Sequence, residues 1–150
     1  MRKFSFAVES TRYCNYSKED KFDNGIIYIL PPWVDEIQLG NHDANTIINQ
    51  SRDLQEYLWN NTQLQEILFM ANCAAAEVSY NKLISLGCKP QEARNILPLA
   101  TKCDMIMTGF IDDWKHFFAL RADGVTGAPH PQAKELAEPL KQEFIKLNLI

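Results

Sequence analysis

Apolar residues fall along the chain in segments of different period. From Ala44 to Leu86 they recur three and four residues apart. Ile47, Ile48, Leu54, Tyr57 and Leu58 form one stripe, and Leu64, Ile67, Leu68, Ala71, Ala75, Val78 and Leu83 a second. That spacing predicts helix. Thr62 followed by Gln65 fits a capping box dividing the stretch in two, and one unbroken helix fits the same pattern. Gly87 is expected as the C-cap, because the left-handed residue that closes a helix carries no side-chain penalty when it is glycine.

Upstream, the segment from Phe4 to Tyr16 mixes aromatics with Ser5, Ser10, Thr11 and Arg12, and Lys18 to Gly25 supplies a polar turn. Ile26 to Leu30 is β-branched and aromatic and is stopped by Pro31 and Pro32, which predicts a short buried strand followed by a loop from Trp33 to Asp43. Downstream, Pro90 opens a short helix to Leu97, which Pro98 ends, since proline at the first helical position gives up only an unneeded donor. Leu99 to Thr108 alternates and predicts a strand. Phe110, Trp114, Phe117, Phe118 and Arg121 then recur at helical spacing as an aromatic face. A glycine-containing loop, 122–129, leads to a last helix from Pro131, with Ala133, Leu136, Ala137, Leu140 and Phe144 inward and a bend at Pro139. The pattern is α/β in the broad sense, more closely α+β: a small sheet, a long helical segment and flanking helices.

With 150 residues and 46% hydrophobic content, one core is expected and residues 1–150 read as a single domain. The net charge of −4 argues against an extended nucleic-acid surface, which needs an excess of Lys and Arg on one face. A small anionic ligand needs only a few converging arginines. Cys14, Cys73, Cys88 and Cys103 show no C-x-x-C pairing, so neither a zinc site nor a disulfide framework is indicated. No apolar run approaches the roughly 20 residues of a membrane span, and the start is too soon polar for a signal peptide. A soluble cytoplasmic protein with reduced thiols and no membrane partner is the expectation.

Three arginines stand in partly apolar sequence settings. Arg12 lies among Ser10, Thr11 and Tyr13; Arg94 lies on the two-turn helix between prolines; Arg121 ends the aromatic face. A guanidinium so placed needs fixed partners. A phosphate or a planar uracil edge would supply them bidentately, and local carboxylates such as Glu9, Glu92 or Asp113 would equally serve.

Three blocks occur in order: Arg2-Lys3-Phe4-Ser5-Phe6-Ala7-Val8-Glu9-Ser10-Thr11-Arg12-Tyr13, then Glu92-Ala93-Arg94-Asn95-Ile96-Leu97-Pro98-Leu99, then Phe117-Phe118-Ala119-Leu120-Arg121 with His130-Pro131-Gln132 beyond it. They resemble the signature segments of flavin-dependent thymidylate synthases, the first with matching spacing at Arg2, Ser5, Ser10, Arg12 and Tyr13. The resemblance implies reductive methylation of deoxyuridine monophosphate (dUMP) to thymidylate. Methylenetetrahydrofolate would be the carbon donor, reduced FAD the hydride donor and NADPH the reductant, in a homotetramer whose sites are shared between subunits. It assigns Ser10, Arg12 and Arg94 to dUMP. Arg121 would be both a dUMP ligand and the catalytic cation, facing the uracil ring to favour ionisation at N3. Arg2, Val8, Asp112 and His116 fall at flavin-contact positions.

Val8 stands where the family has a carboxylate or amide, and Phe110, Asp112 and His116 where many members have Asn, Arg and Asn. Met1 stands where the family has histidine, which implies that the family's N-terminal portion is missing. The alternative is a truncated paralogue that binds a deoxynucleotide, or joins a full-length subunit, without catalysis. His116 fits a flavin contact, and fits equally a half-buried histidine satisfied by Asp112. The family needs no nucleophilic cysteine, and none here has a neighbouring His or basic cluster that would activate it.

Overall fold

A computed structural model describes residues 4–17, 25–34, 43–55 and 63–150. The expectations at Arg2, at the Thr62 cap, for the polar turn before Gly25 and for most of the 33–43 loop lie outside the described residues. So do the side chains of Leu54, Tyr57, Leu58 and Leu64. The fold is α+β, and the chain divides into two compact units, one of Met1–Val8 with Asp104–Ile150 and one of Glu9–Cys103.

In the first unit, β1 (Phe4–Val8) pairs antiparallel with β2 (Met105–Gly109), Phe4 opposite Gly109 and Val8 opposite Met105. The strand expected over 99–108 is therefore shifted toward the C-terminus. Its first residues turn instead, because both the amide (3.0 Å) and the hydroxyl (2.8 Å) of Thr101 donate back to the Pro98 carbonyl. A two-stranded ladder is marginal by itself. Here Phe4 packs edge-on to Trp114, 5.2 Å between ring centres, on α4 (Ile111–Arg121).

The aromatic face expected on α4 is the core of this unit. Phe118 is 1% exposed, and Trp114 stacks on it while Phe144 of α5 (Pro131–Lys146) meets its ring at 5.1 Å. Phe110 is excluded and exposed, since it caps α4 in an extended conformation rather than lying on its face. On α5, Ala137 and Phe144 turn inward as expected, but Leu136 is 76% exposed. Leu136 and Ala137 lie about 100° apart on a helix, and Ala137 occupies the inward position. Pro139 is accommodated within α5. The 122–129 loop is held by Val125 N–H to the Ala119 carbonyl (3.0 Å) and by Lys141 Nζ on both Asp123 oxygens (2.6 and 2.8 Å).

In the second unit, α1 (Ala44–Gln55) packs on α2 (Gln63–Ser85), so the long helical stretch is two helices. The face that α2 buries matches the expected apolar stripe only in part: Leu83 packs against the core, and Ile67 and Ala71 are partly buried. Ala75 and Val78 are exposed, while Cys73, Ala74 and Tyr80 are buried and Glu77 is half-buried. Polar tips are tolerated inside when they are bonded. The Tyr80 hydroxyl accepts from Tyr16 N–H and donates to the Cys14 carbonyl, each at 3.4 Å, and Glu77 accepts from Ile26 N–H. The expected buried strand at 26–30 is a single bridge between Tyr28 and Thr101, with Ile27 and Ile29 each 48% exposed. Its partner segment bends at 98–101, so only one register position is met.

Glu77 carries a pH-dependent cost. Burial raises its carboxyl above the ordinary range, partly offset by the Ile26 N–H bond. The folded chain thus holds this proton more tightly than the unfolded chain, and stability falls as pH rises through the window above the usual carboxylate value. Glu77→Gln keeps the acceptor oxygen and removes the charge. The variant should gain on the parent in urea midpoint as pH rises above the usual carboxylate range, and a pH-independent difference would refute the assignment.

Candidate functional site

The second unit brings two of the three arginines together. The chain turns at 10–14, where Tyr13 and Cys14 N–H groups donate to the Ser10 carbonyl (2.9 and 3.1 Å) and Arg12 N–H to Ser10 Oγ (3.3 Å). The turn is anchored from below, because Cys14 and Tyr16 are buried against Tyr80 and Ala93.

The opposing element follows from local sequence. Gly87 adopts φ 93°, and the Gly87 and Cys88 N–H groups donate to the Ile84 and Leu83 carbonyls, which is the expected glycine-closed helix end. Two residues later α3 (Pro90–Ala93) starts with proline in its first turn, and Glu92 Oε2 accepts from Lys89 N–H at 2.7 Å. A short 3-10 turn, Arg94–Ile96, completes the helix expected from Pro90, and Ala93 is fully buried in the same core. Gln91 and Arg94 stand three residues apart, hence on one side.

Across this gap the two segments exchange hydrogen bonds. Arg12 Nε donates to Gln91 Oε1 and Arg94 Nη1 donates to Thr11 Oγ1, both at 3.2 Å. The Arg12 guanidinium also lies 5.3 Å from the Tyr13 ring centre. Both arginines are exposed rather than set in apolar surroundings, because it is their neighbours Ala93, Cys14 and Tyr16 that enter the core.

The local carboxylates do not neutralise them. Glu92 is engaged by the Lys89 amide, and Glu9 accepts from Cys14 Sγ at 3.3 Å. No carboxylate of the described residues lies within ion-pairing distance of Arg12, Arg94 or Arg121. Two fixed positive charges with neutral partners form an acceptor-seeking pair suited to a phosphate.

The remaining described candidates lie in the first unit, and Arg2 is outside the described residues. Arg121 is exposed in the last turn of α4, one residue before buried Ala122. Val8 ends β1 and is 53% exposed. Asp112 does not satisfy His116: its carboxylate accepts from Lys115 Nζ at 3.1 Å, and His116 is exposed, not half-buried. The carboxylate is taken by the cationic Lys115 one turn along the helix. His130 occupies the N-cap position of α5, as a helix-start residue, without a side-chain cap bond.

Two of the four cysteines sit in the interior, whereas Cys88 is half-buried and Cys103 exposed. Cys14 and Cys73 are buried, and burial pushes the Cys73 thiol up to about 11, so it stays protonated near neutrality. Cys73 also lines an open hollow of about 610 Å³ with Trp33, Leu68, Phe69 and Pro98, which contains none of the expected site residues. Among the described residues no cluster of His, Cys, Asp and Glu could hold a metal ion, and no helix is long and apolar enough to cross a membrane.

The family model described as thymidylate synthase complementing protein matches residues 1–147. The chain belongs to this family. Curated relatives of this chain include the probable flavin-dependent thymidylate synthase of Paramecium bursaria Chlorella virus 1, 31% identical over 145 residues. That alignment covers 97% of this chain and 58% of the relative. The flavin-dependent thymidylate synthase of Halobacterium salinarum is 29% identical over 115 residues, 71% of this chain and 41% of its own length. A Synechocystis enzyme of the same name is 33% identical over 67 residues, 45% of this chain and 30% of its own length. The chain thus spans little more than half the length of the first of these relatives.

Within this family member, sequence reasoning identified the arginines but missed what holds them. Thr11 and Gln91 were legible only as neighbours: Thr11 adjoins Arg12, and Gln91 precedes Arg94 by one helical turn.

Proposed function

We propose that this chain acts in the reductive methylation of dUMP to thymidylate. The observation that carries the reading is the crossed pair of arginines, Arg12 and Arg94, held by neutral side chains on two segments of a thymidylate synthase complementing protein family member. Ser10, Arg12 and Arg94 take the nucleotide, with the phosphate on the guanidinium groups. Arg121 serves the uracil ring, where a fixed cation favours loss of the N3 proton and so raises electron density on the carbon that attacks the methylene group.

Methylenetetrahydrofolate is the carbon donor, NADPH the reductant, and the protein works in the cytoplasm as a homotetramer with shared sites. FAD, when bound, supplies the hydride. Its inclusion rests on the relatives' names and on the resemblance at Arg2, Val8, Asp112 and His116. Of the described positions, Val8 carries no hydrogen-bonding side chain and Asp112 is engaged by Lys115, which leaves His116 as the side chain suited to a flavin ring. The described members of this set, Val8, Asp112 and His116, do not by themselves form a flavin cradle.

That shortfall supports a second reading, a paralogue that binds a deoxynucleotide, or joins a full-length subunit, without holding flavin. Titration calorimetry with dUMP and with deoxyuridine tests the nucleotide assignment. We expect dUMP to bind at least about tenfold more tightly, since hydrogen bonds to charged groups contribute about 1.5–3 kcal/mol. Equal or absent binding would refute it. A yellow purified protein favours the enzyme, and a colourless one that still binds dUMP favours the paralogue.

A further inference from the structure

We infer that Gln91 is a positioning residue that orients Arg12 toward an anion without cancelling its charge, and that this sets the preference of the clasp for a phosphate monoester. The inference rests on the proposed nucleotide reading and adds to it the residue that controls phosphate recognition.

A guanidinium only donates, so the Gln91 amide must present its oxygen to Arg12 Nε, as it does at 3.2 Å. That bond fixes the plane of the guanidinium and leaves its two terminal nitrogens for a bidentate acceptor. The amide nitrogen of Gln91 then faces away from Arg12, with two N–H donors that no protein acceptor takes among the described residues.

Arg94 is held by the same logic from the other side, by the hydroxyl of Thr11. Neither tether is a carboxylate, although acidic residues are close in sequence to both arginines: Glu9 is turned to Cys14 and Glu92 to the Lys89 amide. The outcome is two oriented cations with their charge intact. A carboxylate at position 91 would accept the Arg12 bond equally well. It would also neutralise one of the two charges and replace two N–H donors with an acceptor.

Gln91→Glu is isosteric and separates orientation from charge. Titrations of the full chain with dUMP, deoxyuridine and inorganic phosphate, at one fixed ionic strength, read the two apart. We expect Gln91→Glu to weaken dUMP and inorganic phosphate by about fivefold, the scale of an exposed ion pair, and to leave deoxyuridine unchanged. Gln91→Met, which keeps both charges but loses the tether, should fall between parent and Gln91→Glu. A purely structural role would change deoxyuridine and dUMP binding in parallel, and that result overturns the inference. So does a Gln91→Glu chain that binds dUMP like the parent, an outcome that leaves the nucleotide reading standing. Should the parent bind inorganic phosphate, with the predicted loss in Gln91→Glu, but show no preference for dUMP over phosphate, the positioning role holds and the nucleotide reading fails. A parent that binds neither anion sinks both.

Discussion

Arg94→Ala is expected to weaken dUMP binding by roughly tenfold to a hundredfold, the range set by charge-assisted hydrogen bonds of about 1.5–3 kcal/mol. Stability should change little, by about 0.5 kcal/mol or less, because the side chain is exposed and its described protein bond is a single contact to Thr11. Deoxyuridine should bind the variant as it binds the parent. Arg94→Lys should restore only part of the loss, since an ammonium is a point charge and lacks the planar fork that can hold Thr11 and a phosphate oxygen together. Calorimetry on the three proteins gives the comparison. A matching loss for nucleoside and nucleotide would mean that Arg94 is not a phosphate ligand.

The second large effect belongs to Tyr80, which has no exposed surface and joins α2 to the arginine-bearing turn. Its ring meets Tyr16 at 5.8 Å and its hydroxyl bridges the backbone at Cys14 and Tyr16. Tyr80→Ala should cost about 3–5 kcal/mol, as for other buried aromatics cut to alanine. Tyr80→Phe retains the packing and should cost about 1 kcal/mol for the lost hydroxyl bonds. Urea unfolding measures both, and a Tyr80→Ala loss below about 1 kcal/mol would contradict the packing described. Because the hydroxyl fixes the turn that carries Ser10, Thr11 and Arg12, the Tyr80→Phe chain should also bind dUMP less tightly than its small stability loss suggests.

How far the chain could be read in advance differs from element to element. The end of α2 at Gly87, the proline-started α3 and the aromatic core of α4 were legible, because each depends on residues close in sequence. The buried face of α2 was legible only in part, through Leu83, Ile67 and Ala71. Its surface is apolar nearly all round, and what selects the inward side is whether Tyr80 and Glu77 find backbone partners from segments more than forty residues away. The strand at 99–108 moved because Thr101 closes on Pro98, a local bond that alternation does not reveal. β1 carries alternating Phe4, Phe6 and Val8, a period-two signal that could have placed it. In the site, the resemblance named Arg12, Arg94 and Arg121 together, and the structure links the segments of Arg12 and Arg94 through Gln91 and Thr11. The neutrality of their tethers depends on which way Glu9 and Glu92 turn, and that is decided by Cys14 and the Lys89 amide.

The β1–β2 ladder has a temporal consequence. Val8 faces Met105, a residue nearly a hundred positions later. During synthesis, therefore, Phe4–Val8 leaves the ribosome long before any of its ladder partners exists. An unpaired apolar strand is a template for mispairing with other chains. The nascent chain is most exposed to that hazard in the interval before residue 109 emerges, when β1 has no β2 to cover its edge.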